Sequence, residues 1–208
     1  MKTIYLIRHS APFIEIENYT DYKNVSWDDY NRNMILSSEG EEKAKELCKV
    51  DELKDLDAIY SADSYRAIGT AKYVAEENNK KIILDERINE RNLGVKTISE
   101  LPENQTMDSF NNKGYKFGSG ESLNEVDARF NSFIDDILKS DNERVALFIH
   151  GIIMMSYLQN NSDFSFDGRV MKIIFNNKEI YSDKMKNPMI FKITYDNNKV
   201  IDINNINI

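Results

Sequence analysis

Two of the 208 residues are histidines, and each stands where an apolar run stops. Thr3-Ile4-Tyr5-Leu6-Ile7 ends in Arg8-His9-Ser10, and Val145-Ala146-Leu147-Phe148-Ile149 ends in His150-Gly151. Short β-branched runs bounded by polar residues predict buried strands. Open α/β sheets bind their ligands beyond the carboxyl ends of such strands. Two imidazoles and a guanidinium at that place suit a phosphoryl group. An imidazole nitrogen can attack phosphorus and carry the group covalently, splitting one hard displacement into two easier ones. Arginine forks match the phosphate oxygens, and a carboxylic acid can protonate the leaving oxygen. That chemistry needs no metal. It does need His9 and His150 to converge, so the strands that carry them must adjoin.

A further cation, Arg66, falls in the first turn of a helix predicted after Tyr60-Ser61-Ala62-Asp63. Free N–H groups and an arginine fork at a helix start make an anion pocket. An exposed Arg66 paired with Asp63 explains the same placement, and for the residue taken alone that plainer reading stands ahead.

Elements able to position these groups follow in order. Ser38 to Glu41 has capping-box spacing, with Ala44, Leu47 and Cys48 on the buried face of a helix ending near Val50. Residues 57–60 predict a strand, and Ala67, Ile68, Ala71, Val74 and Ala75 form the stripe of the helix that carries Arg66. A third strand is expected over 81–84, followed by a charge-dense segment, 85–94, read as mostly solvated. Ser122 to Glu125 repeats the capping box. Leu123, Val126, Phe130, Phe133, Ile134, Ile137 and Leu138 then follow helical spacing closely. An apolar helix runs from His150 to about Leu158. Late strands are expected over 170–175, 189–195 and 199–203, with a turn at Asp196-Asn197-Asn198. Residues 11–36 and 95–120 have no clear period. The first reads as an aromatic-anchored excursion near His9, the second as an inserted lid-like segment. Lys96, Lys113 and Lys116 are read as solvated lid charges, with contact to a second substrate anion as the alternative. Strands alternating with helices predict one α/β domain over 1–208, a mostly parallel sheet flanked by helices.

Composition narrows the function. A net charge of -8 argues against nucleic acid or an anionic membrane as the main partner. No apolar run reaches membrane-spanning length and no signal-peptide pattern precedes the first strand, so the expected location is cytoplasmic. The single cysteine, Cys48, rules out an internal disulfide and a thiolate metal cluster. Neither metal nor cofactor is expected, and nothing in the sequence sets an oligomeric state.

The motifs, taken together, resemble those of the histidine phosphatase superfamily, which includes cofactor-dependent phosphoglycerate mutases and many small phosphatases. Leu6-Ile7-Arg8-His9 is similar to its opening signature and Leu36-Ser37-Ser38-Glu39-Gly40 to its L-[ST]-x-x-G. The run from Tyr60 through Arg66-Ala67 to Thr70-Ala71 resembles its Y-S-S-x-x-x-R-A-x-x-T-A. Asn89-Glu90-Arg91-Asn92-Leu93-Gly94 resembles the stretch that carries its acid, Gly120-Glu121-Ser122 with Arg129 its G-E-S…R, and His150-Gly151 its second H-G. The resemblance implies a three-layer, phosphoglycerate mutase-like sandwich. It implies His9 as the nucleophile that becomes phosphohistidine, and Arg8, Arg66 and His150 as the phosphate cradle. Glu90 is implied as the general acid/base, with Glu86 as the fallback. Ser10-Ala11-Pro12 replaces the family's usual Gly-Glu-Thr, which leaves Ser10 as a candidate phosphate donor, and Ile149 stands where many relatives have serine. The activity so implied is metal-independent hydrolysis of a small phosphomonoester. The alternatives are mutase-type phosphoryl transfer and a non-catalytic phosphate-binding module.

Overall fold

The computed structural model describes residues 1–13 and 26–208. Tyr19 and Tyr22, two of the rings expected to anchor the first excursion, lie outside the described residues. In chain order the elements are β1 (Lys2–Arg8), α1 (Trp27–Asn33), α2 (Ser38–Glu46), β2 (Ala58–Ser61), α3 (Tyr65–Glu77), β3 (Ile82–Leu84), α4 (Gln105–Asn111), α5 (Leu123–Lys139), β4 (Arg144–Ile149) and α6 (Gly151–Asn161). They continue with β5 (Asp163–Phe166), β6 (Val170–Phe175), β7 (Lys178–Lys184), β8 (Met189–Asp196) and β9 (Lys199–Ile206).

The main sheet runs β3-β2-β4-β1-β8-β9. Strands β1 to β4 are mutually parallel, whereas β8 pairs antiparallel with β1 and β9 with β8. Side chains alternate across a strand, and the core divides accordingly. Ile4, Leu6, Val145, Leu147 and Ile149 pack with Phe130, Phe133 and Ile134 of α5 and Ile153 and Met154 of α6. Tyr5, Ile7, Ile59, Ala146 and Phe148 pack on the other face with Leu47 and with Ala71 and Val74 of α3. The α/β sandwich has its two helical layers for this reason: β1 and β4 are apolar on both sides and must be covered on both.

Local signals explain most helix starts. Ser122 and Glu125 form the expected capping box on α5, and Ser64 caps α3 by accepting from Ala67 N–H. For α2 the cap is Ser37, accepting from Gly40 N–H, one residue before the expected box. The helix also stops earlier than expected, and Cys48 lies in a 3₁₀ turn, half-buried. Asn197 and Asn198, both at positive φ, form the β8–β9 turn. The sequence reading did not anticipate β5 and β7, which with β6 build a separate antiparallel sheet.

The 85–94 segment departs most from expectation. Arg91 is buried rather than solvated, and Arg87 is held by Asp85 and Asp136. Lys113 and Lys116 pair with Asp127 and Glu125. Within 95–120 the chain forms a 3₁₀ turn and α4.

Candidate active site

Parallel pairing of β1 with β4 carries Arg8 opposite Ile149. The next residue on each strand is therefore a histidine. His9 N–H donates to Ile149 O at 3.0 Å, and the two rings stand 5.0 Å apart, edge to face at 62°. His150 is also the N-cap of α6.

Arg66 bridges the two rings and is itself buried. Its Nε donates to His9 Nε2 at 3.1 Å, and its Nη2 donates to His150 Nδ1 at 3.0 Å. Asp63 does not pair with it; that carboxylate takes Arg32 of α1 instead. Asn31 of α1 accepts from Arg66 through its backbone oxygen and, at 3.1 Å, through Oδ1. Burial lowers the Arg66 guanidinium to about 10, which leaves it charged at neutral pH.

A guanidinium can only donate, so these contacts set both imidazole tautomers. His9 Nε2 holds a lone pair, and its proton sits on Nδ1, donated to Ser10 O at 2.7 Å. His150 Nδ1 holds a lone pair and Nε2–H donates to Ser64 Oγ at 3.0 Å. Burial first, then the Arg66 charge, pushes both rings well below the usual imidazole value of 6.5. Both are neutral at neutral pH.

Arg8 leans over the start of α6. A Cβ on Gly151 would lie 3.3 Å from Arg8 Nε and 3.0 Å from Met185 Sδ, so glycine permits this close passage. Arg8 Nη1 donates to Met185 O and Lys186 O at 3.3 and 3.1 Å, while Nε has no partner among the described residues. Ser10 is fully buried; its N–H donates to Thr70 Oγ1 at 2.8 Å, and its hydroxyl has no partner among the described residues.

A cleft of about 630 Å³ opens above this group, with Arg66, Glu90 and His150 on its wall. Arg8, His9 and Ser10 are not on that wall, whereas Arg66, which donates to His9, is. Glu90 is half-buried on the cleft wall. Its Oε1 accepts from Arg91 N–H at 3.0 Å and its Oε2 from Ile152 N–H at 3.5 Å. Burial raises its carboxyl above the usual range, outweighing those N–H groups and the charges of Arg66 and Arg8. Glu86, the fallback, is exposed and also lines the cleft.

Residues the sequence reading gave no site role hold these groups in place. Arg129 grips Glu121 with two bonds, at 2.8 and 3.0 Å, and donates to Glu90 O at 3.2 Å. Arg91 reaches Glu121 O, Ser109 Oγ and Tyr115 O, tying the Glu90 loop to α4. Asp28 of α1 accepts from Leu93 and Gly94 N–H. The motif spacing singled out Arg129; nothing local marks Asn31 or Asp28, whose partners are tens of residues away. Among the described residues no group of three or more His, Cys, Asp or Glu side chains is arranged to hold a metal ion. No helix among them is long and apolar enough to cross a membrane.

A family model described as the histidine phosphatase superfamily, branch 1, matches residues 4–180. The chain is 29% identical over 127 residues to "Phosphoserine phosphatase 1" of Hydrogenobacter thermophilus, 57% of this chain and 60% of that one. It is 25% identical over 163 residues to "Probable phosphoglycerate mutase GpmB" of an Enterobacter species, 74% of this chain and 72% of that one. A solved structure of mycobacterial glucosyl-3-phosphoglycerate phosphatase with inorganic phosphate superposes at a TM-score of 0.70 with 15% identity, covering 100% of this chain and 96% of that one. That likeness is one of fold.

Proposed function

The chain belongs to the histidine phosphatase superfamily, and from that premise we propose how its own residues carry out phosphomonoester hydrolysis through a phosphohistidine. The observation that carries the reading is the His9–Arg66–His150 group, two neutral imidazoles facing one buried guanidinium. His9 Nε2 attacks phosphorus as the ester oxygen leaves, taking the proton of Glu90. Glu90, now a carboxylate, accepts a proton from water, whose oxygen displaces His9 from phosphorus and restores the free ring. Arg66 leaves the ring nitrogens for the phosphate oxygens, and Arg8, with its free Nε, completes the cradle. Guanidinium charge aimed at the transferring group does the work a metal ion does elsewhere. His150 shifts its one ring proton from Nε2 to Nδ1 to donate to the bound anion, and the Ser64 hydroxyl then donates to Nε2. Ser10 belongs to this proposal through its backbone, because its hydroxyl is sealed from the cleft.

The substrate proposed is a small phosphomonoester. Specificity is assigned to α1 and to the lid-like 95–120 segment, from which Ser119 reaches the cleft. Phosphoserine and a phosphoglycerate enter as candidates through the names of the two relatives. A cytoplasmic location belongs to the same proposal and rests on one cysteine in 208 residues.

Rapid quenching with a ³²P-labelled phosphomonoester tests this reading. Acid-labile label should appear on His9 and be absent from His9→Ala, which should release no phosphate while keeping the wild-type melting curve. Unchanged turnover in His9→Ala would remove His9 as nucleophile. Net conversion of 3-phosphoglycerate to its isomer, without phosphate release, would replace hydrolysis by mutase chemistry.

A further inference from the structure

Attack through Nε2 requires the ring proton to stay on Nδ1, and its acceptor is the carbonyl of Ser10, 2.7 Å away. That carbonyl belongs to the next peptide, Ser10–Ala11, and is carried on Ser10 Cα, which the peptide plane joining His9 to Ser10 fixes in place. Beyond Arg8 the β1–β8 ladder cannot hold this plane. The register that pairs Arg8 with Met189 sets Pro188, which has no N–H, opposite His9. Two side chains hold it instead. Thr70 Oγ1 accepts from Ser10 N–H at 2.8 Å on one edge and donates onward to Arg66 O at 2.7 Å. On the other edge Asn187 Nδ2 donates to His9 O at 2.9 Å. A carbonyl only accepts, so the Asn187 amide can face it only with its NH₂ group.

We infer that Asn187 is a positioning residue for the nucleophile, acting through the His9–Ser10 peptide to keep Nε2 aimed at phosphorus. The inference rests on His9 being the nucleophile. Asn187 lies past residue 180, where the family match ends. The two residues before it, Met185 and Lys186, supply the carbonyls that hold Arg8. One short loop between β7 and β8 therefore anchors both the attacking ring and a cation of the phosphate cradle. Displacement of a reacting group by about 1 Å costs on the order of a hundredfold in rate. Loosening one edge of a single peptide is expected to cost about tenfold to a hundredfold.

The test is Asn187→Asp, which keeps size and shape but puts an acceptor where the donor was. Label transfer to His9 should slow by about tenfold to a hundredfold with KM for p-nitrophenyl phosphate unchanged. The ¹⁵N shifts of the His9 ring should lose the pattern of a pure Nδ1–H tautomer. Thr70→Val should show the same signature and Thr70→Ser should recover, which keeps the test informative if Asn187→Asp does not fold. A label-transfer rate equal to wild type, or slower transfer with the ring pattern intact, overturns the inference. Absence of label on His9 in the wild-type protein would overturn the function reading itself, so the two failures are told apart.

Discussion

Replacing Glu90 by Gln should separate substrates by their leaving groups. The amide fits the same space, and its oxygen can keep the 3.0 Å bond from Arg91 N–H. It loses only the 3.5 Å contact with Ile152 N–H, too long to matter much to the fold. What the amide cannot do is give a proton to the departing oxygen. Burial raises Glu90 above the ordinary carboxyl range, so the native site favours the protonated form that an acid catalyst needs. General acid catalysis of this kind is worth about 10² to 10⁴ in rate, or about 3 to 5 kcal/mol of barrier. That loss should appear in full with an alkyl phosphate, whose alkoxide must be protonated to leave. It should shrink to a small factor with p-nitrophenyl phosphate, whose phenolate departs as a stable anion, provided label transfer to His9 is timed separately from hydrolysis.

Stability supplies an independent check on the same carboxyl. A folded-state pKa above the unfolded one means that ionisation opposes folding. The stabilising contribution is complete below the unfolded pKa and is lost as pH rises through the folded one. Gln cannot ionise, so above the carboxyl range Glu90→Gln should melt at or above the wild-type temperature. The variant would then be slower and no less stable, the trade expected where a site keeps a strained group for function. Equal loss on both substrates would refute the role of proton donor, and a clear drop in melting temperature near neutral pH would refute the burial argument.

Two further outcomes follow from the site. His9 and His150 are both held well below 6.5, so the unfolded chain takes up their protons first. Their contribution to stability is present above 6.5 and should be lost as pH falls below it, at up to about 1.4 kcal/mol per pH unit for each ring; His150→Asn should flatten the melting-temperature profile there. EDTA should leave phosphate release unchanged if, as proposed, Arg8 and Arg66 meet the charge on the transferring group; inhibition reversed by Mg²⁺ would contradict that.

Much of this protein could be read locally. The apolar runs of β1 and β4, the α5 stripe with its Ser122–Glu125 box and the asparagine turn at 197–198 are set by neighbours a few residues away, and a linear pattern records such neighbours directly. The strand-end placing of His9 and His150 was equally legible, as was the motif around Arg66. Tertiary structure decided the rest. Whether Arg66 meets Asp63 or the imidazoles depends on α1, whose Arg32 takes Asp63 and whose Asn31 takes Arg66. The charges of 85–94 looked solvated because their partners, Glu121, Ser109 and Asp136, are distant in sequence. The second sheet has no linear signature, because β5 and β7 carry exposed polar residues and among the described residues pair only with β6. Asn187 is the clearest case: a loop residue beside a proline, given its place only when β8 folds back along β1 and brings its amide to the carbonyl of His9. Pattern along a chain encodes period and local capping, whereas pairing across the fold is settled by which surfaces can be buried together.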